Sequence, residues 1–399
     1  MISKESVKYS LRNLSHRKTR SAFTIISILV GITTIFIFVS FGLGLYDYID
    51  ELSSASSADK LLIQPKGLGG MDPTFSFSEE ELEVVQRTSG VYEATGVYFK
   101  SAEIQKSKVK KYTYLIAYDP KVPLIMDVFN IGIEIGRELQ SGDSGVVVGY
   151  NYLLPDKIFS KPYELNDNIE VNGKKLKIVG FYGPVGNPAD DAQIYVTNDL
   201  IGDLYPNETL PYNWIVAKVD VSNLERVTKD VERNLRNERG LDEGKEDFYA
   251  QSFDDMIESY SMILDIVIGF IILIALISVF VSAVNTANTM ITSVLERVKE
   301  IGVIKSIGGQ NVEIFGIFLF ESSFLGFVAG VLGVLLGWIV SFTGSKILTS
   351  LGYGFLQPQF SPWLFVGCIA FATLTGAISG VLPAIKASKI NPVDALRYE

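Results

Sequence analysis

The sequence contains one cysteine and one histidine in 399 residues. Cys368 cannot form an internal disulfide and lies in an apolar run. His16 alone supplies neither a zinc-binding cluster nor a Ser-His-Asp triad. No GxxxxGKS or GxxxxGKT run occurs, so these residues bring no phosphate-cradling loop of their own. Basic charge is scarce where nucleic acid would need it. The net charge is −10, and residues 46–260 alone carry −15, whereas phosphate backbones require a basic face. These absences disfavour an enzyme.

What is present is long apolar sequence. Apolar residues make up 48% of the chain, and the two flanks of the acidic middle together carry +5. Phe23 to Leu45 is 23 residues without a charge, enough to cross a bilayer core of about 30 Å. Ile266 to Leu295 is uncharged throughout, and Ser322 to Ser345 is a third such run that extends back to Ile314 if Glu321 is tolerated. No charge appears from Ile347 to Ile385, where Pro362 to Leu382 reads as the fourth span. A cleaved signal peptide ending near Ser53–Ala58 is disfavoured, because a 23-residue apolar core exceeds a signal h-region.

Lys and Arg set the direction. Lys4, Lys8, Arg12, Arg17, Lys18 and Arg20 precede the first span, and no Lys or Arg occurs from Tyr46 to Asp59 or from Glu246 to Asp265. Both termini are therefore expected in the cytoplasm of a multi-pass cell-membrane protein, with the acidic middle outside. The expected organisation is an amphipathic N-terminal helix at 1–20, with Val7, Leu11 and Leu14 on one stripe, lying on the inner leaflet. Span one follows at 21–47 and an extracytoplasmic α+β domain at 48–260. Span two covers 261–292, a cytoplasmic helix and loop 293–312, and span three 313–343. A short outer loop at 344–361, span four at 362–383 and a cytoplasmic tail at 384–399 complete the chain. The fold class is thus a four-helix membrane protein with an α+β domain inserted between helices one and two.

Within the insert, Ser78-Glu-Glu-Glu81 is a capping box opening a helix to about Thr88. Val97–Gln105, Val109–Tyr118 and Trp214–Val219 suit strands. Ile169-Glu-Val171, Asn172-Gly173 and Leu176–Val179 form a hairpin signal with a type I′ turn. Ser222 is expected to cap a charged helix to about Arg239, and a helix from Phe253 is expected to continue into span two. Asp190-Asp191, after the Gly183–Pro188 loop, reads as a solvated turn in preference to a cation site. Asn207-Glu-Thr209 is a glycosylation sequon.

After span two, Val294, Val298, Ile301 and Ile304 recur at helical spacing, with Glu296, Arg297, Lys299 and Glu300 on the other face. Gly308-Gly309 ends this helix. The pattern suits either a helix pressed on a cytoplasmic partner or one that anchors the loop at the interface. Glu321 lies about 12 Å into span three at helical rise. A charge there costs roughly 2.5–3.5 kcal/mol, so Glu321 is expected to face protein or be neutral, near Asn285 or Asn288. Packing and coupling are preferred to a proton relay. Gly326/Gly330, Gly333/Gly337 and Gly376/Gly380 fall at GxxxG spacing and permit close helix approach.

Ser10-Leu-Arg-Asn-Leu14, Arg17-Lys-Thr-Arg20 and Gly31 open the first span. Glu296-Arg297, Glu300-Ile-Gly302 and Ser306-Ile-Gly308 follow the second, then Phe318-Leu-Phe-Glu321. Pro383–Ala387 and Asn391-Pro-Val-Asp-Ala-Leu-Arg-Tyr-Glu399 close the chain. In this order the motifs resemble permeases of the macrolide-exporter (MacB) and FtsX type of ABC transporter. Gly136-Arg137, Val146–Val148 and Ile178-Val-Gly180 are similar to that family's outer domain; Leu165-Asn166 departs from it, since many relatives have a glycine there.

The resemblance implies a four-span subunit, without enzymatic activity of its own, that pairs with itself or a homologous permease on two copies of a separate ATPase subunit. ATP and Mg would be bound by that partner and no cofactor or metal by this chain. It further implies that the 294–308 helix couples to the ATPase through Glu296, Arg297, Glu300, Ile301, Gly302, Ile304 and Gly308. Helix motion would then be transmitted to the outer domain for export or extraction of a hydrophobic or lipid-linked substrate or antibiotic. Non-transporting relatives of the FtsX or antibiotic-sensing kind instead regulate an outer hydrolase or a sensor. An extracytoplasmic accessory protein and the bilayer are the remaining expected partners.

Overall fold

The computed structural model describes residues 18–55, 59–66, 75–129, 131–206, 208 and 210–397. The N-terminal amphipathic stripe and both ends of the 207–209 sequon lie outside these residues. In chain order the elements are α1 (Lys18–Ala55), β1 (Lys60–Pro65), α2 (Glu79–Gln86), β2 (Val91–Lys106), β3 (Val109–Tyr118), α3 (Leu124–Phe129), β4 (Ile133–Gly136), β5 (Val146–Val148), β6 (Asn168–Val171), β7 (Lys174–Tyr182), β8 (Ile194–Thr197), α4 (Asn198–Leu204), β9 (Trp214–Val219), α5 (Leu224–Glu238), β10 (Phe248–Ser252), α6 (Phe253–Glu296), α7 (Val298–Ser306), α8 (Asn311–Leu351), α9 (Pro362–Ser388) and α10 (Pro392–Arg397). Among the described residues four helices, α1, α6, α8 and α9, are long and apolar enough to cross a membrane.

The chain divides into two units. A helical unit holds α1 up to Tyr46, Ile263–Ile347 and the chain from Leu356; an inserted unit holds Asp47–Met262 with Leu348–Phe355. The inserted unit is built on one ten-stranded sheet ordered β10-β1-β9-β2-β3-β8-β5-β7-β4, with β6 pairing to β2 and β7. β3–β8 and β5–β7 are parallel and the other pairs antiparallel. Over one end of the sheet, Val227, Val231 and Leu235 of α5 and Leu82 and Val85 of α2 bury against Leu61, Ile63, Ile215, Ala217 and Phe248. The i, i+4, i+8 spacing on α5 makes that stripe.

Local chemistry explains most elements. Ser78 Oγ accepts from the Glu81 amide at 3.2 Å, and the Glu81 carboxylate accepts from the Ser78 amide at 2.6 Å, closing the capping box. Asn172 and Gly173 adopt φ of 48° and 81°, the type I′ signature that joins β6 to β7. Asn166 stands at φ 71°, a conformation that asparagine tolerates better than most side chains. Ser222 does not cap α5. The Asp220 carboxylate accepts from the Ser222 amide to start a 3-10 turn, and α5 begins only at Leu224.

β2 starts six residues before the expected Val97, because its first half pairs with β9 while its second half pairs with β3. The helices also outrun their apolar cores: α8 continues to Leu351, past 343, and α9 to Ser388, through Pro383. A helical hydrogen-bond ladder does not depend on membrane thickness, so the end of an apolar run does not mark a helix end.

In the helical unit, Gly326 and Gly330 of α8 face α9, and Gly333 and Gly337 face α1. A Cβ on Gly326 would lie 2.5 Å from the Ala372 carbonyl; on Gly333, 3.0 Å from the Leu29 carbonyl. Gly376 and Gly380 meet Ser322 from the α9 side. Ile28, Ile32 and Phe36 of α1 fill the space between Ala329, Val334, Cys368 and Ala372.

Candidate functional site

The candidate site is the turn from α6 through α7 into α8, with the two elements that close over it. α6 ends at Glu296, and Arg297 leaves helical geometry (φ −112°, ψ 16°), so the 294–308 segment is two helices joined by a break, α6 and α7. This break moves Arg297 off the polar face on which spacing placed it. Its side chain turns inward and is 4% exposed. Nη1 donates to both carboxylate oxygens of Glu321, at 3.0 and 3.2 Å, and Nε to Glu300 at 3.2 Å. The guanidinium lies 4.9 Å from the Phe318 ring centre, a favourable cation–π position.

Glu321 is 2% exposed, and its partner is not an asparagine of span two. Asn285 and Asn288 are exposed on α6 in the single chain. A carboxylate held among helices needs a full opposite charge more than an amide dipole, and Arg297 supplies it from 24 residues away in sequence.

The rest of α7 packs tightly. Ile301 buries with Met290, Val294, Ile314, Phe318, Ala384 and Ala387, with Ile304 partly buried beside them. Gly302 lies against α10, where an added Cβ would come within 2.8 Å of the Ala395 methyl group. Lys305 Nζ donates to the carbonyls of Ser388 and Ile390 at 2.7 and 2.8 Å, at the C-terminal end of α9. Gly308 takes φ 104° and ends the helix. Glu296, Lys299 and Glu300 remain on the exposed side, beside Val303 and Ile307. Spacing identified α7 and its apolar stripe but missed Lys305 and α10; the Asn-Pro-Val-Asp run, a Pro-initiated helix start, was the available signal for α10.

An apolar groove of about 340 Å³ opens between α1, α6 and α9, lined by Ile35, Phe38, Ile272, Ala275, Trp363 and Phe371. Among the described residues no group of three His, Cys, Asp or Glu side chains could hold a metal. Asp190 and Asp191 are not a solvated turn. Asp191 is buried and accepts from the Val185 and Gly186 amides at 2.7 and 3.2 Å, while Asp190 accepts from Asn187 and Gln193. Burial raises the pKa of both, with the neighbouring Asp191 charge adding to the shift at Asp190. Their carboxylates staple the Gly183–Pro188 loop, against which the 348–355 segment lies: Phe355 N donates to the Gly186 carbonyl at 3.4 Å, and Lys157 Nζ to that of Ser350 at 2.7 Å.

Comparison with known proteins agrees with this architecture. Residues 21–234 match the MacB-like periplasmic core domain, and residues 272–392 the FtsX-like permease C-terminal domain. An ABC transporter permease of Methanocaldococcus jannaschii is 30% identical over 396 residues, covering 98% of both chains. The ABC transporter permease YvrN of Bacillus subtilis is 28% identical over 426 residues, covering 99% of this chain and 100% of its own. The macrolide export ATP-binding/permease protein MacB of Neisseria gonorrhoeae is 26% identical over 412 residues, 99% of this chain but 61% of its own length. The chain therefore belongs to the MacB/FtsX family of ABC transporter permeases.

Proposed function

We propose that this permease transmits the ATPase cycle of a separate ATP-binding subunit, present in two copies, to its extracytoplasmic unit, and thereby exports or extracts a hydrophobic or lipid-linked substrate. The observation that carries this reading is the α7 surface. Glu296, Lys299, Glu300, Val303 and Ile307 form an exposed, mixed apolar and charged face on a helix whose other side is fixed by packing. Such a face suits a groove on a cytoplasmic partner. The MacB relative is named an ATP-binding/permease protein, and this sequence, which has no phosphate-binding loop, covers 61% of it.

Two further features support the reading. α6 is one unbroken helix of 44 residues whose first turns, Phe253–Met262, belong to the inserted unit; a continuous helix carries displacement along its axis. The apolar groove beside α6 has the lining that an acyl chain or a macrolide-like molecule requires. The α6 face also supports self-pairing, since Ile266, Phe270, Ile274, Ile277 and Val281 leave a long apolar stripe uncovered in one chain.

The test is to reconstitute the full chain with the candidate ATPase in lipid vesicles. Glu300→Lys is expected to weaken association and lower stimulated ATP hydrolysis, and ATP is expected to move substrate from the outer leaflet. Unchanged association and stimulation would remove the docking assignment. Intact stimulation without substrate movement would replace transport by the regulatory role known for non-transporting relatives.

A further inference from the structure

The two long helices that flank α7 both reach the inserted unit, and they reach it at different places. α6 is unbroken for 44 residues, and its first turns, Phe253–Met262, belong to that unit and follow directly on β10. α8 is unbroken for 41 residues, from Asn311, just after the Gly308-Gly309 end of α7, to Leu351. Its last turn, from Leu348, and the chain to Phe355 also belong to the inserted unit. In the sheet, β10 forms one edge, whereas β7 and β8, which the 183–193 loop joins, lie in the opposite half.

The 348–355 segment is fitted closely to that loop. Gly352 ends α8 in a Schellman motif: the Tyr353 amide donates to the Leu348 carbonyl and the Gly352 amide to that of Thr349, both at 2.9 Å, with Gly352 at φ 104°. A Cβ there would lie 3.0 Å from Pro188 Cγ, tighter than ordinary van der Waals contact. Gly186, at φ 86°, is equally confined, since its Cβ would lie 3.2 Å from the Phe355 nitrogen. Lys157 Nζ donates to the Ser350 carbonyl at 2.7 Å, and the Phe355 ring centre lies 5.5 Å from that of Tyr48 of α1. The loop is tied in turn to the chain that follows β5. The Gly149 and Asn151 amides donate to the Gln193 and Asp191 carbonyls at 2.9 Å, and Asn151 Nδ2 to that of Pro188 at 3.2 Å.

We infer that residues 348–355 are a latch that fixes the 183–193 loop to the Leu351 end of α8, so that α8 drives the β7–β8 half of the sheet while α6 drives its β10 edge. This rests on the reading of α7 as the helix that receives the ATPase cycle. The two ends of α7 lead into two rods that meet one sheet at separated strands. A displacement of α6 relative to α8 therefore becomes a deformation inside the inserted unit instead of a movement of the whole unit. The latch suits that load. Gly186 and Gly352 bring backbone against backbone and against a proline ring, with no rotatable side chain to give way, and Lys157 adds a charge-assisted hydrogen bond.

Two variants break the latch in different ways, in the full chain in lipid nanodiscs. Lys157→Met removes the charged donor, and Gly352→Ala sets a methyl group against Pro188. Gly240→Ala is the control. Gly240 ends α5 in the same motif, with the Leu241 amide on the Arg236 carbonyl and its own amide on that of Asn237. It stands at φ 65° with nothing within 4 Å of an added Cβ. Hydrogen exchange at the amides of 185, 186, 191 and 193 is expected to be about tenfold faster in both latch variants, the scale of one hydrogen bond from a charged donor, and unchanged in the control. Unchanged exchange in both latch variants overturns the inference.

Spin labels at Lys177→Cys on β7 and Lys229→Cys on α5, with Cys368→Ser, report the two halves of the sheet against each other. Adding the ATPase and a non-hydrolysable nucleotide is expected to shift this distance in the unaltered chain. Both latch variants should bind the ATPase as before and lose most of the shift. An equal shift in the latch variants overturns the inference, because α6 alone would then carry the motion. So does the lack of any shift in the unaltered chain with the ATPase bound. If the ATPase fails to bind even the unaltered chain, the docking reading of α7 fails instead, and the exchange comparison, which needs no ATPase, still decides whether the latch holds the loop.

Discussion

The two units of this permease use the same apolar residues in opposite places. In the inserted unit the large side chains are inside: Phe77, Tyr118, Tyr152, Phe181, Tyr182 and Phe248 are all fully buried. In the helical unit Phe36 and Phe318 are buried but many other large side chains point away, with Phe270, Phe280, Leu335, Trp338 and Leu374 exposed, while the closest helix contacts are made at Gly326, Gly330, Gly333, Gly337, Gly376 and Gly380. Polar side chains close the gaps there. Ser282 Oγ donates to the Ser27 carbonyl at 2.8 Å, Thr33 Oγ1 to the Gly333 carbonyl at 3.0 Å, and Ser40 and Ser341 share a hydrogen bond at 3.3 Å. The difference follows from the surroundings. Water drives phenylalanine inward, but lipid tails are as apolar as the side chains themselves, so helices are held by close backbone approach and by hydrogen bonds.

The comparison breaks most readily at a glycine. A Cβ on Gly376 would sit 2.5 Å from the Ser322 carbonyl and 3.0 Å from the Gly326 Cα. Both obstacles are backbone and neither can rotate away. Gly376→Leu is expected to separate α8 from α9 at a cost above the roughly 1–3 kcal/mol of ordinary overpacking. Hydrogen exchange of the full chain in nanodiscs should show 318–330 and 369–383 losing protection together. Gly344→Leu on the same helix α8, where a Cβ meets nothing within 4 Å, is expected to leave exchange unchanged. Equal effects at the two sites would mean that apolar bulk, not backbone approach, sets packing in the helical unit.

Phenylalanine sharpens the same comparison. Phe248 is 1% exposed and Phe270 is 63% exposed. Phe248→Ala leaves a cavity under α2 and α5 and should cost about 3–5 kcal/mol, read as lost exchange protection confined to β1, β9, β10 and α5. Phe270→Ala should alter stability by no more than about 0.5 kcal/mol. A larger loss at Phe270 would show that its face is buried in the working assembly, which would itself support self-pairing through α6.

How much of this was legible in the sequence depends on the range of the interaction. The spans, the Ser78 capping box, the Asn172-Gly173 hairpin and the Trp214–Val219 strand were legible because each is decided by contiguous residues, through the length of an apolar run, periodicity or turn chemistry. The sheet order was not: Leu61 pairs with Ser252 across most of the inserted unit, and no local pattern encodes that register. At the candidate site, helical spacing marked Ile301 and Ile304 and the Gly308-Gly309 pair marked the helix end, while Gly302 was singled out only through the family motif. Arg297 was placed on the wrong face, because helical periodicity assumes a continuous helix and the helix breaks at that residue. The same break hid the partner of Glu321, which the sequence sought one span earlier, at Asn285 or Asn288. Asp191 was mistaken for a solvated residue for a related reason: its two amide partners belong to the loop it staples, and composition cannot distinguish a carboxylate that accepts from backbone from one that accepts from water.

The smallest of the expected effects separates the units at their helix ends. α2 begins in the inserted unit with Ser78 and Glu81 exchanging hydrogen bonds with backbone amides. α9 begins at Pro362 with no side-chain cap from Ser361. Proline at the first helical position removes one of the unpaired amides outright and presets φ, so that helix start depends less on a capping hydroxyl. Ser78→Ala is expected to cost about 1 kcal/mol, seen as faster exchange of the amides at 80–82 with the rest of the sheet unchanged. Ser361→Ala should cost only a few tenths, on the scale of surface changes that remove no specific contact. If Ser361→Ala proved as costly as Ser78→Ala, the Pro362 end of span four would require capping as strictly as a helix in water. The contrast between the units would then stop at their interiors and not extend to their helix ends.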